Sequence, residues 1–557
     1  MALLHVSRMS EKATLLNNVL AKNFNRNVPA LTEVDLLKYK ISDNMDPPQS
    51  IICSEEDIFE LLQGLDVEKA TGLDGISGRM LKGVACAITP PLTKLFNRSI
   101  TSGVLPAKWK TSSVVPIPKT KPASDNPIHY RPISLLAITS KLLERHIYDI
   151  VLDQTDGIPS NQWGFVPGRS TVSALLTAFE DMSLLMENGY DIVLIFFDLR
   201  KAFDSVPHGP LLHKLKERGL NEYILQWIAN YLYEREQYVI VRGESSDTIN
   251  VVSGVPQGSV LGPLLFLIYI SDLSEATLSI GSKQITFADD ILLYKAIKTS
   301  NDFIGVQSDI DIINSTVEGA HLTFSAQKCR YIIASKKCQP TRPQANICLG
   351  DIPLEEVSLH KYLGVQVSSS LQWSHHICMI CTKARKLVGM LYRRFYTWAD
   401  TDTLRTLYLT CIRPHLEYAC QLWDPYLRKD IDRLENVQKF ACKVCLGAWN
   451  LSYDEMLQKL CLPRLDSRRA YLKLNTMYNI VNDRIFYPQG FFSIRNYGNL
   501  RSQLVIRYVV PYARTNYRYY SFIPSVTRTW NSLPDYILSA HTVLAFKRLL
   551  SYHLLSN

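Results

Sequence analysis

Two adjacent carboxylates interrupt an oily run, Ile285-Thr286-Phe287-Ala288-Asp289-Asp290-Ile291-Leu292-Leu293-Tyr294. Strand-like apolar residues stand on both sides, so the segment reads as a hairpin with Asp289-Asp290 at its turn. Like charges this close repel, and burying them uncompensated costs several kcal/mol. A solvated Asp-Asp turn is one answer and a divalent cation is the other. A third carboxylate bears on the choice. Ile192-Val193-Leu194-Ile195-Phe196-Phe197 reads as a buried strand and ends at Asp198. If the strands are neighbours, the three acids converge on an all-oxygen site suited to magnesium, which binds a few carboxylates plus substrate phosphates. Two such ions about 3.5–4 Å apart can clamp the attacking and leaving oxygens of a phosphoryl transfer.

The bulk numbers allow this. At 557 residues the chain holds about three or four domain-sized units. Its 46% hydrophobic and 20% charged content are ordinary for a folded protein. The net charge of +9 is unevenly spread: residues 377–557 carry 26 Lys and Arg against 12 Asp and Glu. A basic back third beside an acidic centre suits a polyanion. No signal peptide or membrane-spanning run is legible, which points to the nucleus or cytoplasm and to no membrane partner. The twelve cysteines then read as mostly free and buried. Cys378/Cys381 and Cys442/Cys445 have zinc-pair spacing, but they lie far apart and in helix-like patterns.

Along the chain, an amphipathic helix is expected over 11–40, strands at 113–119 and 237–242, and helices near 140–151, 171–188, 210–233, 260–270 and 301–320. Ser170 or Thr171 can cap the helix that follows Gly168. A strand pair over 322–335 contains Lys328. Tyr362-Leu363-Gly364-Val365 begins another strand, and 373–482 is almost entirely helical. The tail interleaves Arg495, Arg501, Arg507, Arg514 and Arg518 with Tyr497, Tyr508, Tyr512, Tyr517, Tyr519 and Tyr520. Such alternation suits phosphate contact plus base stacking, or equally a solvated surface.

Several segments occur in a telling order: Lys-Ala-Thr-Gly-Leu-Asp-Gly-Ile from Lys69, Tyr-Arg-Pro-Ile-Ser-Leu from Tyr130, and Gln-Trp-Gly-Phe-Val-Pro-Gly-Arg-Ser-Thr from Gln162. Phe-Asp-Leu-Arg-Lys-Ala-Phe-Asp from Phe197, Gly-Val-Pro-Gln-Gly-Ser from Gly254 and Phe-Ala-Asp-Asp from Phe287 follow. His-Lys-Tyr-Leu-Gly-Val from His360 and Trp-Asn-Ser-Leu-Pro from Trp530 close the series. Together they resemble the reverse transcriptases of non-LTR (LINE-type) retrotransposons, particularly jockey-like elements. The resemblance implies an α+β right-hand polymerase: an N-terminal helical extension over 1–50, fingers and palm with an antiparallel sheet over 51–340, a helical thumb over 341–450 and a basic C-terminal domain over 451–557.

It also implies roles. Asp198, Asp289 and Asp290 match the carboxylates that hold two magnesium ions, with Asp290 acting more electrostatically than as a direct ligand. Phe203 matches the aromatic that faces the nucleotide sugar and excludes a 2′-hydroxyl. Gln257 and Gly258 lie in the loop that approaches the base pair, and Arg131, Lys141 and Arg169 match residues facing triphosphate or template. Lys328 resembles a lysine that protonates pyrophosphate. Arg514, Tyr517, Arg518 and Tyr519 are candidate nucleic-acid contacts. The expected partners are an RNA template, a DNA primer or target and deoxynucleoside triphosphates. About 130 residues precede the Tyr130 motif, too few for a typical endonuclease as well as fingers. The chain therefore reads as the polymerase portion of an element's second reading frame, its nick supplied in trans. Oligomeric state is not legible. Rival readings are a catalytically idle, nucleic-acid-binding remnant and a group II intron maturase-like protein.

Overall fold

The computed structural model describes residues 8–41, 47–119, 124–155, 157–488, 490–495 and 506–555. Tyr497 and Arg501 of the tail lie outside the described residues. The chain forms two compact units that interleave in sequence. One comprises Met1–Phe165, Asp198–Thr277 and Asp311–Ser325; the other comprises Val166–Phe197, Leu278–Ile310 and Ala326–Asn557.

The first unit is built on β1 (Thr111–Pro118), β2 (Tyr130–Leu135), β4 (Arg235–Val241), β5 (Glu244–Ser245) and β6 (Ile249–Val251), in the order β2-β1-β4-β5 with β6 also on β4. β1 runs antiparallel to β2 and parallel to β4. The helix Met9–Ala21 lays Ala13, Leu16 and Leu20 against Val114 of β1 and Val239 of β4. Buried Asn17 fixes its register: its Oδ1 accepts from Gln237 Nε2 at 2.9 Å, and its Nδ2 donates to the Asp247 carbonyl at 2.9 Å. The long helix expected over 11–40 is thus two, Met9–Ala21 and Glu33–Leu37, because the intervening Asn, Pro and Thr favour turns and caps.

A second sheet, which lies in the second unit except for its residue Asp198, consists of β3 (Asp191–Asp198), β7 (Ser282–Phe287), β8 (Asp290–Ile297), β9 (Arg330–Ala334) and β12 (Glu355–Glu356), in the order β12-β9-β3-β8-β7. β3 is central, and Ile192 to Phe197 are all buried, as an uninterrupted apolar run requires. β9 runs antiparallel to it, with Leu194 opposite Ile332. Two hairpins complete the strands: β10 (Cys348–Leu349) with β11 (Ile352–Pro353), and β13 (Leu359–Tyr362) with β14 (Val365–Ser368). The last agrees with the expected strand: β14 begins at Val365, after a turn in which Leu363 and Gly364 take positive φ, 43° and 85°. By contrast the expected strand pair over 322–335 reduces to β9, and Lys328 sits exposed in the turn before it.

Helices Ser374–Phe395, Arg428–Leu446 and Leu465–Val481 dominate the following stretch, as the periodicity indicates. The tail, described over 506–555, is largely helical. Phe522, Val526, Trp530, Phe546 and Leu550 pack with Leu474, Met477 and Tyr478 in one core. Cys381, Cys442 and Cys445 are buried on their helices. Among the described residues no helix is long and apolar enough to cross a membrane.

Candidate active site

The hairpin read from sequence exists. β7 and β8 are antiparallel with Phe287 opposite Asp290, which leaves Ala288 and Asp289 as a two-residue loop. Ala288 is buried at φ 54°, a region that disfavours a side chain with a Cβ. Such backbone persists only where its surroundings hold it, and here Ile285, Ile291, Leu292 and Leu293 anchor both arms. Asp289 is half-buried and Asp290 exposed. The Tyr362 hydroxyl is pushed far above its usual range, first by burial and then by the Asp290 charge. Asp290 therefore projects negative potential along the β13 end of this unit.

Asp198 is the last residue of β3 and is half-buried. Its carbonyl accepts from Ser325 N–H at 2.8 Å, and Arg200 N–H donates to the Thr323 carbonyl at 2.9 Å. Lys201 then turns the chain at φ 51° into the short helix Ala202–Ser205. Phe203 stacks on Phe266 at 4.3 Å between ring centroids and meets the edge of Phe165 at 5.8 Å. It is half-exposed, so one part of the ring is clamped and another faces outward.

The loop from Gly254 to Ser259 packs on this short helix. Val255 N–H donates to the Phe203 carbonyl at 2.9 Å, and Gln257 Nε2 donates to the Asp204 carboxylate at 2.7 Å. Burial pushes the Asp204 carboxyl up, and the Gln257 bond with the positive charges of Lys201 and Lys119 opposes this. On its other side the loop joins β2, where Ser134 N–H donates to the Gln257 carbonyl at 2.7 Å. A Cβ on Gly258, which has φ 125°, would lie 2.4 Å from the Ser134 carbonyl oxygen. The close approach that demands glycine is thus to the protein's own strand, whereas the sequence reading assigned it to a base pair.

Arg131 lies on β2 opposite Ile117 and is exposed, held extended as its position before Pro132 requires. Lys141 is half-buried on the helix Ile138–Gln154, where burial lowers its ammonium and the nearby Glu144 charge opposes this. In the second unit the Arg169 guanidinium lies 4.1 Å over the Phe486 ring, and burial lowers its pKa. Ser170, rather than Thr171, caps the next helix, Thr171–Glu187, by accepting from Ser173 N–H.

The tail corrects the sequence reading most. Arg518, expected to face nucleic acid, is 6% exposed and paired at 2.6 Å with Glu180, itself 3% exposed. Its Nη1 also donates to Ser183 Oγ at 2.7 Å. Tyr517 is half-buried beneath Lys336 Nζ, 4.2 Å from the ring centroid. Arg514 is exposed, yet its Nη2 donates to the Glu187 carbonyl at 2.7 Å. Tyr519 is 41% exposed under Arg528. Half of the expected stacking and phosphate contacts are therefore engaged in holding the C-terminal helices to the helix Thr171–Glu187.

Sequence reasoning also missed Glu144 and the pairing role of Asp204. The only signal was position: an acid inside an apolar helix, and an acid one residue past Phe203. Among the described residues no group of three or more His, Cys, Asp and Glu is arranged to hold a metal by itself.

Comparison with known proteins follows the same outline. Residues 117–367 match the family described as reverse transcriptase (RNA-dependent DNA polymerase). The chain is 28% identical over 399 residues to the probable RNA-directed DNA polymerase from transposon X-element of Drosophila melanogaster, covering 70% of this chain and 44% of that protein. It is 28% identical over 439 residues to the RNA-directed DNA polymerase from mobile element jockey of the same species, covering 76% and 47%. A third relative, the probable RNA-directed DNA polymerase from transposon BS, is 28% identical over 408 residues, covering 70% and 44%. Residues 117–367 thus match a reverse transcriptase domain, the chain is similar to RNA-directed DNA polymerases of transposons, and it spans about half the length of these relatives.

Proposed function

We propose that this chain is the polymerase portion of a non-LTR retrotransposon protein and extends a primer 3′-hydroxyl with deoxynucleotides on an RNA template. The observation that carries the reading is the sheet order: the strand ending at Asp198 is the immediate neighbour of the hairpin strand that begins at Asp290. With the matched reverse transcriptase domain, this supports one carboxylate set of Asp198, Asp289 and Asp290. The names of the relatives favour a transposon polymerase over an intron maturase.

Reverse transcriptases generally use divalent ions, and the donor chemistry here suits magnesium. The hairpin tip offers adjacent carboxylates within reach of solvent, with no His or Cys beside them. When bound, magnesium supplies charge neutralisation at the triphosphate and lowers the pKa of the primer hydroxyl. The chain's own residues do the positioning. Phe203, braced by Phe266 and Phe165, presents a rigid ring to the sugar. Gln257, held by Asp204 and Ser134, fixes the loop under the base pair. Arg131 meets phosphate, and Lys328 serves as proton donor to the leaving pyrophosphate. The fingers, palm, thumb and C-terminal assignments, the two-ion stoichiometry, the RNA and DNA partners and the nick supplied in trans belong to the same proposal.

Primer extension on RNA and DNA templates, with and without magnesium, tests it. The wild-type chain extends on RNA only with the ion, and Asp198→Asn and Asp289→Asn each abolish extension. Wild-type rates from either variant would sink the carboxylate assignment. An inactive wild-type chain that still binds RNA would mark an idle remnant.

A further inference from the structure

The helix Leu261–Tyr269 follows the Gln257 loop directly, and its first N–H groups need acceptors. Its N-cap residue, Val260, supplies no side-chain bond. Ser259 Oγ accepts from Gly262 N–H at 2.9 Å, which settles one donor. The other two are settled from far away in sequence: the Glu144 carboxylate accepts from Val260 N–H at 2.8 Å and Leu261 N–H at 3.2 Å. Glu144 is fully buried, and its second oxygen accepts from Ser140 Oγ at 3.3 Å. Burial pushes the Glu144 carboxyl up, and the two N–H bonds oppose this; the helix dipole favours the ionised form, in which those bonds are charge-assisted. Lys141 sits one turn earlier on the same helix as Glu144.

The anchored segment has little slack. Val260 is three residues from Gln257, whose carbonyl and amide are both tied down, and Gly258 is wedged against Ser134. We propose that Glu144 is a positioning residue: it acts through the N-terminus of helix Leu261–Tyr269 to hold Gln257 and Gly258 in the nucleotide-binding arrangement and keeps Lys141 in register with them. This rests on the polymerase reading above. Glu144 contacts no substrate; its effect is transmitted through three backbone residues.

The test uses the full chain in steady-state primer extension, with hydrogen exchange on the same samples. Glu144→Gln keeps an acceptor but loses the charge, and Glu144→Ala loses both. Weakening charge-assisted bonds of this kind corresponds to a change of roughly tenfold or more. The expected result is a KM for the deoxynucleotide raised about tenfold in Glu144→Ala, less in Glu144→Gln, with kcat within about threefold. The Val260 and Leu261 amides should exchange faster in the same order. An unchanged KM beside an active wild-type enzyme overturns the inference, as does equal loss in kcat and KM with general loss of exchange protection. If Glu144→Ala does not fold, the Glu144→Gln comparison decides alone. A wild-type chain that extends no primer overturns the polymerase reading instead, and the exchange data still decide whether Glu144 anchors the segment.

Discussion

Replacing Arg518 with methionine separates a structural role from nucleic-acid contact. Both members of the Arg518–Glu180 pair are more than nine-tenths buried. The pair also binds Ser183 Oγ, and Glu180 accepts from Ile523 N–H at 3.2 Å and Ser521 Oγ at 3.3 Å. Methionine keeps the apolar stem and removes the charge. Glu180 is then stranded with two weaker donors, and breaking a buried pair on one side costs about 3–5 kcal/mol. Burial already pushes the Glu180 carboxyl up, against the Arg518 charge, so proton uptake by the stranded acid limits the loss at low pH. For a unit of this size the cost lowers Tm by on the order of 10 °C. The double variant Arg518→Met/Glu180→Gln should regain most of it, because no charge is left unpaired. Thermal melts of the four proteins measure this, and RNA-binding salt titrations run alongside should show an unchanged slope. If Arg518→Met melts like the wild type while the slope falls by about 0.7, a phosphate contact has been lost and the structural account fails.

Four further expectations are open to measurement. Phe203→Val should admit ribonucleotides at least tenfold more readily in primer extension, since a one-ring clash is worth over about 1.4 kcal/mol; unchanged sugar selectivity removes the gate. Gly258→Ala should lower stability by about 1–3 kcal/mol in urea melts and raise the nucleotide KM, because the added Cβ meets the Ser134 carbonyl. Burial raises the Glu187 carboxyl, but Thr515 and Arg514 bonds outweigh it and hold its pKa below the usual 4.5. The clamp on Thr515 is therefore intact above that pH and is lost as pH falls through the lowered value, so the 510–520 segment should become protease-sensitive in acid, and Glu187→Gln should abolish that pH dependence. Neutralising Arg514 alone should cost under about 1 kcal/mol of stability, because the residue is exposed.

The strand ending at Asp198 and the hairpin bearing Asp289-Asp290 were legible because they depend on short-range patterning. An apolar run must be buried, and an acid pair that cannot be buried must fall at a turn. The ordered motifs from Tyr130 to Phe287 were equally local, and the matched domain over 117–367 covers them. The strand that begins at Val365 was legible, but its hairpin partner β13 and the Leu363-Gly364 turn were not, because a two-residue hairpin and a strand edge share the same apolar flanks and only backbone φ separates them.

Partner choice over long separations belonged to the tertiary structure. Nothing in the sequence pairs Arg518 with Glu180, 338 residues away, or sets Glu144 against amides 116 and 117 residues on. An arginine among tyrosines reads the same whether it meets phosphate or a buried carboxylate. Composition records which charges a chain carries, while the energy of each charge depends on the solvent and counter-charge that folding leaves around it.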